Sequence, residues 1–439
     1  METHLVLTQS QNKTSTFGFM WNMLRNPLHA LTELAREQGD IAHVKLRKRD
    51  LFLLNHPEFI EQVLVKQQDK FIKGPSLQRA RILLGEGLLT SEGEEHLAQR
   101  RTLQPAFHRQ RMEEYLPLMN ENTFTHVSKW QDGARVDMSA EMMRLTLNIA
   151  LWSFFGSAPE GTVERVSESM SALMKLFPLT QLPVPDATRM LFPKFKQASM
   201  DLRQVTESLL KNPQSEGAKR ALIHILKENN NGQFTDEQIH AQALTFLLAG
   251  HETTALLLAW CWDMLAHHSD VQVKLQDEVD GVLGDRFPNA EDIQNLPYTR
   301  MIVKETLRMR PPAWTIGRQA VQDCEIGGQH ISAGSTVLVS QWVTHHDARF
   351  YDDPHQFRPG RWYELENTSF PRYAFFPFGG GSRVCIGEHF AMTEAIAVLA
   401  MVSRRWNISS TQAALAKPNP SVTLRPDKSV KLIVGRRDV

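Results

Sequence analysis

The segment from Thr235 to His267 reads as one helix, and its length and apolar character constrain the fold more than any other part of the chain. Thr235 and Gln238 have the spacing of a capping box, which places the start of the helix. A helix of about 30 residues is roughly 45 Å long, enough to cross the whole molecule. Because its middle is apolar almost all the way round, it has to be buried. The sequence therefore predicts a helical body packed around a long central helix.

Strand-like runs are short and lie near both ends of the chain, whereas helical patterns dominate between them. Residues 57–66 look helical, and residues 71–95 are expected to be largely loop because of their glycines and proline. Ser269 to Gln272 has the spacing of a second capping box, so a new helix is expected to start there. Since no repeat or flexible linker divides the chain, we predict one domain over residues 1–439, mainly α with small β-sheets. The β-rich portions are expected near residues 41–72, 315–345 and 421–434.

The charge balance and the cysteine content exclude several classes of protein. The 439 residues carry 49 basic and 49 acidic side chains, so no broad electrostatic surface for nucleic acid is expected. The three cysteines, Cys261, Cys324 and Cys385, form neither a disulfide framework nor a C-x-x-C metal site. The first residues lack a signal-peptide pattern, and no apolar run approaches the roughly 18 residues that span a bilayer. We expect a cytoplasmic protein without an integral membrane segment.

The middle of the long helix carries residues that are unfavourable in a buried helix. Gly250 costs about 1 kcal/mol relative to alanine. Glu252 is costly to bury unless it is paired or hydrated. The hydroxyl of Thr253 can donate a hydrogen bond back to a carbonyl and loosen the turn. This combination indicates a functional groove, while the alternative is a packing glycine beside satisfied threonines.

The same stretch contains His251-Glu252, which resembles the start of an H-E-x-x-H zinc motif. Ala255 occupies the position of the second histidine, so one ligand is missing. His251 is offset by about 100° from Gly250 around the helix and therefore points away from the groove. A structural histidine is the better interpretation.

The run from Phe378 to Gly387 has the form F-x-x-G-x-R-x-C-x-G. Its glycines have no Cβ, so the loop can approach a flat ligand closely. Arg383 offers a planar fork of donors suited to a carboxylate. Cys385 precedes a helix predicted over residues 388–404, whose N-terminus stabilises a thiolate. The arrangement indicates a thiolate iron ligand beneath a haem with an arginine on its propionate, the alternative being a buried structural cysteine.

A further group of charged residues is interpreted as structural. Glu305 and Arg308 are three residues apart on a helix and are therefore neighbours. The turn at residues 357–362 is able to bring Arg361 onto Glu305. A buried glutamate shared by two arginines would fix the loop that carries Cys385.

Together, these motifs resemble those of the cytochrome P-450 family of haem-thiolate monooxygenases, and the likeness runs from about Pro27 to Val434. The resemblance implies the family's fold, in which a long central helix lies over haem b, and its reaction with O2. It implies that Cys385 is the axial ligand of the haem iron and that Glu252 and Thr253 deliver protons to oxygen. The motifs that carry the likeness are Phe378 to Gly387, Ala249 to Thr254, Glu305-x-x-Arg308 and Phe357-x-Pro359-x-Arg361.

The resemblance also assigns residues to the haem and to the substrate. Arg100 corresponds to the arginine of the family's W-x-x-x-R helix, in which His96 replaces the tryptophan here. Arg318 matches another propionate-binding position. The residues implied to contact haem are His96, Arg100, Ala249, Gly250, Arg318, Phe378, Gly379, Arg383, Cys385 and Gly387. Those implied to line the substrate pocket are Leu88, Leu89, Phe246, Ala249, Ala313, Trp314 and Ile316.

An apolar pocket favours a small lipophilic substrate, such as a fatty acid or terpenoid, which would be hydroxylated or epoxidised. Residues 176–195 are rich in apolar side chains and are expected to form a lid that could also touch a membrane. As no flavin domain follows, we expect electrons from a separate ferredoxin or flavodoxin and its NAD(P)H-dependent reductase. The basic residues expected to attract that acidic donor are Arg100, Arg101, Arg109, Arg111, Arg372 and Arg383.

Two alternatives remain open from the sequence alone. One is a haem-thiolate peroxygenase or isomerase, although such relatives generally lack the acid–alcohol pair that Glu252 and Thr253 form here. The other is a non-catalytic haem protein such as a gas sensor, which would need neither a proton relay nor a roomy apolar pocket.

Overall fold

The computed structural model describes residues 16–46, 49–180, 193–211, 221–223, 226 and 234–438. The chain divides into two compact units. Unit one comprises Met1–Gln78, Arg308–Gln356 and Leu365–Cys385, and unit two comprises Arg79–Leu307, Phe357–Glu364 and Ile386–Val439.

The described helices are numbered here in chain order. They are α1 (Thr16–Arg25), α2 (Pro27–Gln38), α3 (Pro57–Glu61), α4 (Pro75–Leu84), α5 (Gly93–Leu103), α6 (Arg109–Val127), α7 (Met138–Phe155), α8 (Thr162–Thr180), α9 (Pro193–Lys211), α10 (Asp236–His267), α11 (Ser269–Leu283), α12 (Ala290–Gln294), α13 (Pro297–Met309), α14 (Gln341–His345), α15 (Arg361–Glu366) and α16 (Glu388–Arg405).

The described strands are numbered in the same way. They are β1 (Ile41–Leu46), β2 (Arg49–Leu54), β3 (Phe71–Lys73), β4 (Ala134–Asp137), β5 (Ile316–Ala320), β6 (Cys324–Ile326), β7 (Gln329–Ile331), β8 (Thr336–Val339), β9 (Trp406–Ser409), β10 (Pro418–Pro420), β11 (Leu424–Pro426) and β12 (Lys431–Arg436).

Unit one is built around a five-stranded sheet in the order β1-β2-β8-β5-β3. Strand β2 pairs antiparallel with β1 and parallel with β8, so it lies inside the sheet. Its residues 51–54 are all buried, which explains why they form a continuous apolar run rather than an alternating one. Tyr373 and Phe376 pack into the same hydrophobic core as Phe59 and Leu64. The segment leading to Cys385 is therefore anchored in the core of this unit.

Unit two is helical, and α10 packs most extensively against α7 while also contacting α9, α11 and α16. Helix α10 has 32 residues, and both hydrogen bonds of the predicted Thr235–Gln238 capping box are present. A three-stranded sheet, β4-β12-β9, and the β10–β11 hairpin complete the unit. The mainly helical fold with small sheets is confirmed.

Several local predictions were wrong. Residues 71–95, expected to be largely loop, contain strand β3 and helix α4. The helix is compatible with its proline and glycine, because Pro75 is tolerated in the first turn of a helix and Gly85 takes φ +67° just past the end of α4. The second capping box is absent among the described contacts: His268 is the N-cap of α11 and makes no side-chain cap bond. Strands β4 and β9 lie outside the predicted β-rich portions, and α14 lies inside one of them.

Helix α10 also bears on the prediction that the protein has no membrane span. Its most apolar 18-residue window has a mean hydropathy of 1.3, which makes it the one helix of the described ranges long and apolar enough to cross a bilayer. The structure buries 72% of that window among other elements. Such burial is expected of a core helix, so the apolar window is weak support for a membrane span.

Candidate active site

The cysteine loop of unit one is closed by its own backbone. The amide of Cys385 donates to the carbonyl of Phe378 at 2.9 Å, and the amide of Val384 donates to the carbonyl of Gly381 at 3.1 Å. The amide of Gly379 donates to the carbonyl of Phe376 at 2.9 Å. These bonds hold Cys385 at the exposed end of a tight loop, directly before α16.

A side chain from the turn before β3 braces this loop. The amide of Ser382 donates to Oε1 of Gln68 at 2.7 Å, and Arg383 Nη1 donates to the backbone carbonyl of Gln68 at 3.3 Å. Gln68 therefore holds two of the three residues that lie between the glycines and the cysteine. No pattern in the sequence distinguished this glutamine, because its partners lie more than 300 residues away.

A second brace reaches the start of the loop through His345. Its Nε2 accepts the amide N–H of Phe376 at 3.1 Å, and its ring packs against Phe375 and Phe376. Arg308 in turn donates to the carbonyl of His345 at 2.8 Å and to that of Pro354 at 2.7 Å. Arg308 thus stabilises the segment that holds the cysteine loop, which agrees with a structural interpretation of this arginine.

The glycines of the loop pack closely against other parts of unit one. A Cβ on Gly380 would lie 2.6 Å from the ring of Tyr373, and one on Gly381 would lie 1.8 Å from the carbonyl oxygen of Leu64. Gly379 and Gly381 also have φ values of +77° and +70°, which favour glycine. Close approach to the protein itself is therefore sufficient to account for these glycines.

The three cysteines differ in their ability to supply a thiolate. Burial raises the pKa of Cys261 to about 12, and it also raises the pKa of Cys324. Cys385 is exposed. Since a thiolate is the form that binds metal, Cys385 has the environment that fits an iron ligand, whereas the other two have the environment of core residues.

In unit two, the middle of α10 contains the opening that was predicted there. Ala249 is exposed and Thr253, one turn later, is half-buried, although the residues on either side of this stretch are mostly buried. The hydroxyl of Thr253 donates to the carbonyl of Ala249 at 2.8 Å, as expected. Small side chains therefore leave one face of a core helix open, which fits a helix that lies against a flat ligand.

Gly250 packs closely against α7, and its contact with haem stays a prediction. A Cβ at this position would lie 2.6 Å from a ring carbon of Phe154 in α7. The ring of Phe154 also contacts Phe246 and Phe390, with ring centroids 5.8 Å and 5.0 Å apart. A methyl group at position 250 would therefore disturb an aromatic cluster.

Glu252 is buried and makes an ion pair. Its Oε1 accepts the hydroxyl of Thr423 at 2.6 Å and Nη2 of Arg425 at 2.8 Å. Both donors belong to the β10–β11 hairpin and its turn. The sequence indicated that Glu252 needed a partner, but it gave no sign of which residue supplied it.

His251 is buried, and its ring Nδ1 contacts the carbonyl of Leu247. Its own carbonyl accepts the hydroxyl of Thr146 in α7 at 3.1 Å. Burial lowers the pKa of His251, so the ring is neutral near physiological pH. No group of His, Cys, Asp and Glu suited to a metal ion occurs within the described ranges.

The other residues implied to contact haem lie on several elements. His96 is buried and Arg100 half-buried, one turn apart on α5 of unit two. Arg318 is buried in β5 of unit one, where its Nη1 donates to the carbonyl of Gly317 at 3.1 Å. Gly387 is the N-cap of α16 and has no side chain to occupy the free amides of the first turn.

Glu305 of the predicted structural group contacts Arg361. Its Oε1 accepts Nε of Arg361 at 2.9 Å and the amide of Arg358 at 3.0 Å. Its Oε2 accepts Nε1 of Trp362 at 3.1 Å. The carboxylate and its arginine are almost fully buried, with side-chain exposures of 0% and 2%. Its effect on the cysteine loop stays a prediction.

The residues implied to line the pocket have mixed environments. Phe246 is buried against Phe107 and Phe154. The amide of Leu88 donates to Gln242 at 2.9 Å. Phe246 and Leu88 are therefore also part of the core of unit two. Leu89 is half-buried. In unit one, Ala313 is exposed, Ile316 is half-buried and Trp314 is buried. The predicted lid over residues 176–195 lies outside the residues whose side chains are described.

Comparisons with known proteins agree with this description. The family model described as Cytochrome P-450 matches residues 11–434. Cyclooctatin synthase of Streptomyces melanosporofaciens is 33% identical over 423 residues, which cover 92% of this chain and 90% of that protein. Cyclooctat-9-en-7-ol 5-monooxygenase of the same organism is 31% identical, with 93% and 89% covered. Pentalenene oxygenase of Streptomyces avermitilis is 29% identical, with 96% and 95% covered.

The family match spans nearly the whole chain, and relatives of similar length are named as oxygenases. The family implies haem iron and O2, a separate redox partner and a lipophilic substrate. The chain belongs to the cytochrome P-450 family and is one of its monooxygenases.

Proposed function

We propose that this monooxygenase oxidises a terpenoid and that Cys385 would supply the thiolate ligand of its haem b. The observation that carries the assignment of the ligand is the exposed thiol of Cys385 at the end of a doubly braced loop, while Cys261 and Cys324 are buried. Bound haem would supply the redox-active iron at which O2 is activated. The binding of haem, the delivery of protons and the choice of substrate depend on the side chains of this protein.

The start of α16 suits a thiolate at Cys385. The positive end of the helix dipole lies directly after the cysteine, and Gly387 leaves the first-turn amides uncovered by a side chain. Arg383, Arg318 and Arg100 provide cationic groups for the two propionates, with His96 as a further donor. Phe378 and Gly379 would contact the haem. We propose these roles on the family pattern and on the burial and bracing of the residues.

Proton delivery is proposed for Glu252 and Thr253 of α10. Glu252 is a buried carboxylate held by two hydrogen bonds, and Thr253 lies next to the open face at Ala249. A carboxylate that exchanges protons through water with a neighbouring hydroxyl is suited to general acid–base work. Replacement of Thr253 by Ala is expected to lower product formed per electron consumed.

The substrate class is proposed from the relatives and from the apolar residues. Two relatives carry the names of the terpenoids pentalenene and cyclooctat-9-en-7-ol. The side chains of Leu88, Leu89, Phe246, Trp314 and Ile316 are apolar and offer no charged partner. A rigid hydrocarbon recognised by shape fits such a lining better than a fatty acid, whose carboxylate needs a donor.

The electron donor is proposed to be an acidic ferredoxin or flavodoxin. Arg101 and Arg109 are exposed on unit two, and Arg372 is exposed on unit one. Arg111 is already paired with Glu114 at 2.6 Å, so it contributes less free charge. Exposed arginines attract an acidic partner and increase its rate of association, and the attraction falls with salt.

The ligand assignment is tested by the spectrum of the ferrous carbonyl complex after expression with ample haem precursor. We expect the thiolate-type spectrum for the wild type and for Cys324→Ala, and its loss in Cys385→Ser. A thiolate-type spectrum in Cys385→Ser, or a globin-like spectrum in the wild type, would show that Cys385 is not the ligand.

The substrate class is tested by screening matched panels of terpenoids and fatty acids for a shift of the haem Soret band. We expect terpenoid hydrocarbons and alcohols to shift the band, and the best of them to be oxidised with NADPH and surrogate redox proteins. A response confined to fatty acids would contradict the terpenoid assignment while leaving the ligand assignment intact.

A further inference from the structure

The loop that carries Cys385 contains a short 3₁₀ turn, Gly381–Arg383, whose start has no side-chain cap of its own. The first amides of such a turn have no acceptor within it. Its N-cap residue is Gly380, which has no side chain, and a Cβ there would lie 2.6 Å from the ring of Tyr373. An acceptor for the amide of Ser382 therefore has to come from another part of the fold.

The side chain of Gln68 supplies that acceptor. The amide N–H of Ser382 donates to Oε1 of Gln68 at 2.7 Å. Nη1 of Arg383 donates to the backbone carbonyl of Gln68 at 3.3 Å. A change of side chain at position 68 removes the first bond and leaves the backbone acceptor of the second in place, so a substitution separates the two contacts.

The turn that carries Gln68 is held by contacts that do not involve the cysteine loop. Nε2 of the neighbouring Gln67 donates to the carbonyl of Glu325 at 2.9 Å. The amide of Gln67 donates to the carbonyl of Gln62 at 2.8 Å, which closes a π-helical turn, and the amide of Lys70 donates to the carbonyl of Gln67 at 3.0 Å. Strand β3 follows directly. The cysteine loop therefore rests against an acceptor whose position is already fixed.

The cap acts on Cys385 through the 3₁₀ turn. The amide of Val384 donates to the carbonyl of Gly381 at 3.1 Å, and the amide of Cys385 donates to the carbonyl of Phe378 at 2.9 Å. These bonds hold the cysteine only while the turn keeps its shape. Without an acceptor for Ser382, the turn loses the bond that fixes its first half, and the place of the Cys385 thiol becomes variable.

We propose that Gln68 is a positioning residue for the iron ligand: it caps the turn Gly381–Arg383 from outside and thereby fixes the thiolate of Cys385. This inference rests on the proposed role of Cys385 as the ligand of haem b. Because Gln68 is half-buried and its side chain makes a single bond to the loop, its removal should act on the ligand more than on the stability of unit one.

The direct test is hydrogen exchange of the Ser382 amide in the purified chain. Gln68→Met keeps the length of the side chain and removes the acceptor. The amide should then exchange about 2- to 12-fold faster, because one hydrogen bond changes an opening equilibrium by about this factor. Gln68→Glu returns an acceptor and should restore the slow exchange of the wild type.

The matched control is Gln78→Met in the same unit. Gln78 is also half-buried, and its Nε2 donates to the carbonyl of Lys73 at 2.6 Å and to Oε1 of Gln319 at 3.1 Å. The same substitution therefore removes glutamine hydrogen bonds that do not reach the cysteine loop. Gln78→Met should lower the midpoint of urea unfolding at least as much as Gln68→Met and leave the exchange of Ser382 unchanged.

The effect on the ligand is measured in the haem-loaded variants by the reduction potential and by the iron–sulfur stretching band in resonance Raman spectra. A thiolate that is held less firmly donates less charge to iron. In Gln68→Met, the band should therefore broaden and move to lower frequency, and the potential should become more positive. Gln78→Met should leave the band and the potential at their wild-type values, which a general loss of stability would not do.

The outcomes separate the inference from the proposed function. If Ser382 exchanges in Gln68→Met as in the wild type, the side chain does not cap the turn and the inference is wrong, whatever the spectra. If the exchange is faster but the iron–sulfur band and the potential are unchanged, Gln68 is a structural residue only, and the inference is again wrong. Failure of the proposed function has a different sign: Cys385→Ser would keep the thiolate-type carbonyl spectrum.

Discussion

Replacement of Gly381 by alanine tests whether the cysteine loop depends on close packing against its own unit. A Cβ at this position would lie 1.8 Å from the carbonyl oxygen of Leu64, whereas ordinary contact begins at 3.4 Å. The obstacle is backbone, so it cannot rotate away like a side chain. The loop has to move by about 1.6 Å, just before Ser382 and Arg383, which are held by Gln68.

The cost can be worked out from these contacts. The left-handed conformation at φ +70° costs an alanine about 1–2 kcal/mol. Movement of the loop breaks the two bonds to Gln68, each worth about 0.5–1.5 kcal/mol. We therefore expect Gly381→Ala to lower the free energy of unfolding by about 2–5 kcal/mol and to reduce the fraction of protein with a thiolate-type carbonyl spectrum.

Unit one offers two matched controls. Gly328 has φ +78°, and a Cβ there would meet no described atom within 4 Å, so Gly328→Ala carries the conformational cost alone. Gly379 has φ +77°, and its added Cβ would lie 3.4 Å from Ile316, which is ordinary contact. Both variants should lose about 1–2 kcal/mol.

The assays are urea unfolding followed by tryptophan fluorescence, and the carbonyl spectrum of each haem-loaded variant. We expect Gly381→Ala to be the least stable of the three variants and to lose the thiolate-type spectrum first. If Gly381→Ala and Gly328→Ala behave alike in both assays, the backbone contact at Leu64 does not govern the loop.

Three further predictions concern buried and reactive groups. Glu305→Gln leaves the buried Arg361 without its charged partner and should lower the free energy of unfolding in urea by about 3–5 kcal/mol. The control Glu364→Gln removes an exposed ion pair and should lower it by less than about 1 kcal/mol. Burial raises the pKa of Glu394, so the unfolded chain loses this proton at a lower pH than the folded protein does. The free energy of unfolding should therefore fall as the pH rises from 4.5 towards the folded pKa, by about 1.4 kcal/mol for each unit by which the pKa is raised. Glu394→Gln should remove that fall, and an unchanged pH dependence in this variant would contradict the prediction. In haem-free protein, iodoacetamide should label Cys385 well before Cys261, whose buried thiol has a pKa of about 12; equal labelling by peptide mass mapping would refute the assigned exposures.

Features that depend on local sequence were predicted well. The capping box at Thr235 and the length of α10 follow from residues within one helix, and both are present. The bond from Thr253 to Ala249 is also local, since it joins residues one turn apart. Helix α4 was missed because Pro75 and Gly85 indicate a loop when read singly, although they lie at the two ends of a helix.

Features that depend on distant residues could not be predicted. The partners of Glu252 lie about 170 residues along the chain, and a threonine in a turn and an arginine in a short strand carry no mark of this contact. The close contacts of Gly380 and Gly381 with Tyr373 and Leu64 were not predicted either, because these two residues are brought there by the core of unit one. The packing of a side chain against a remote backbone is a property of the fold, not of a motif.

The pairing of β4 with β12 sets a limit on folding during synthesis. Residues 134–137 pair with residues 431–434, so strand β4 has to wait for about 290 further residues to leave the ribosome. At about 5–20 residues per second, this wait lasts roughly 15–60 s. During that time the backbone groups of β4 lack their partners in β12, so this strand is expected to stay unpaired until residues 431–434 have been synthesised.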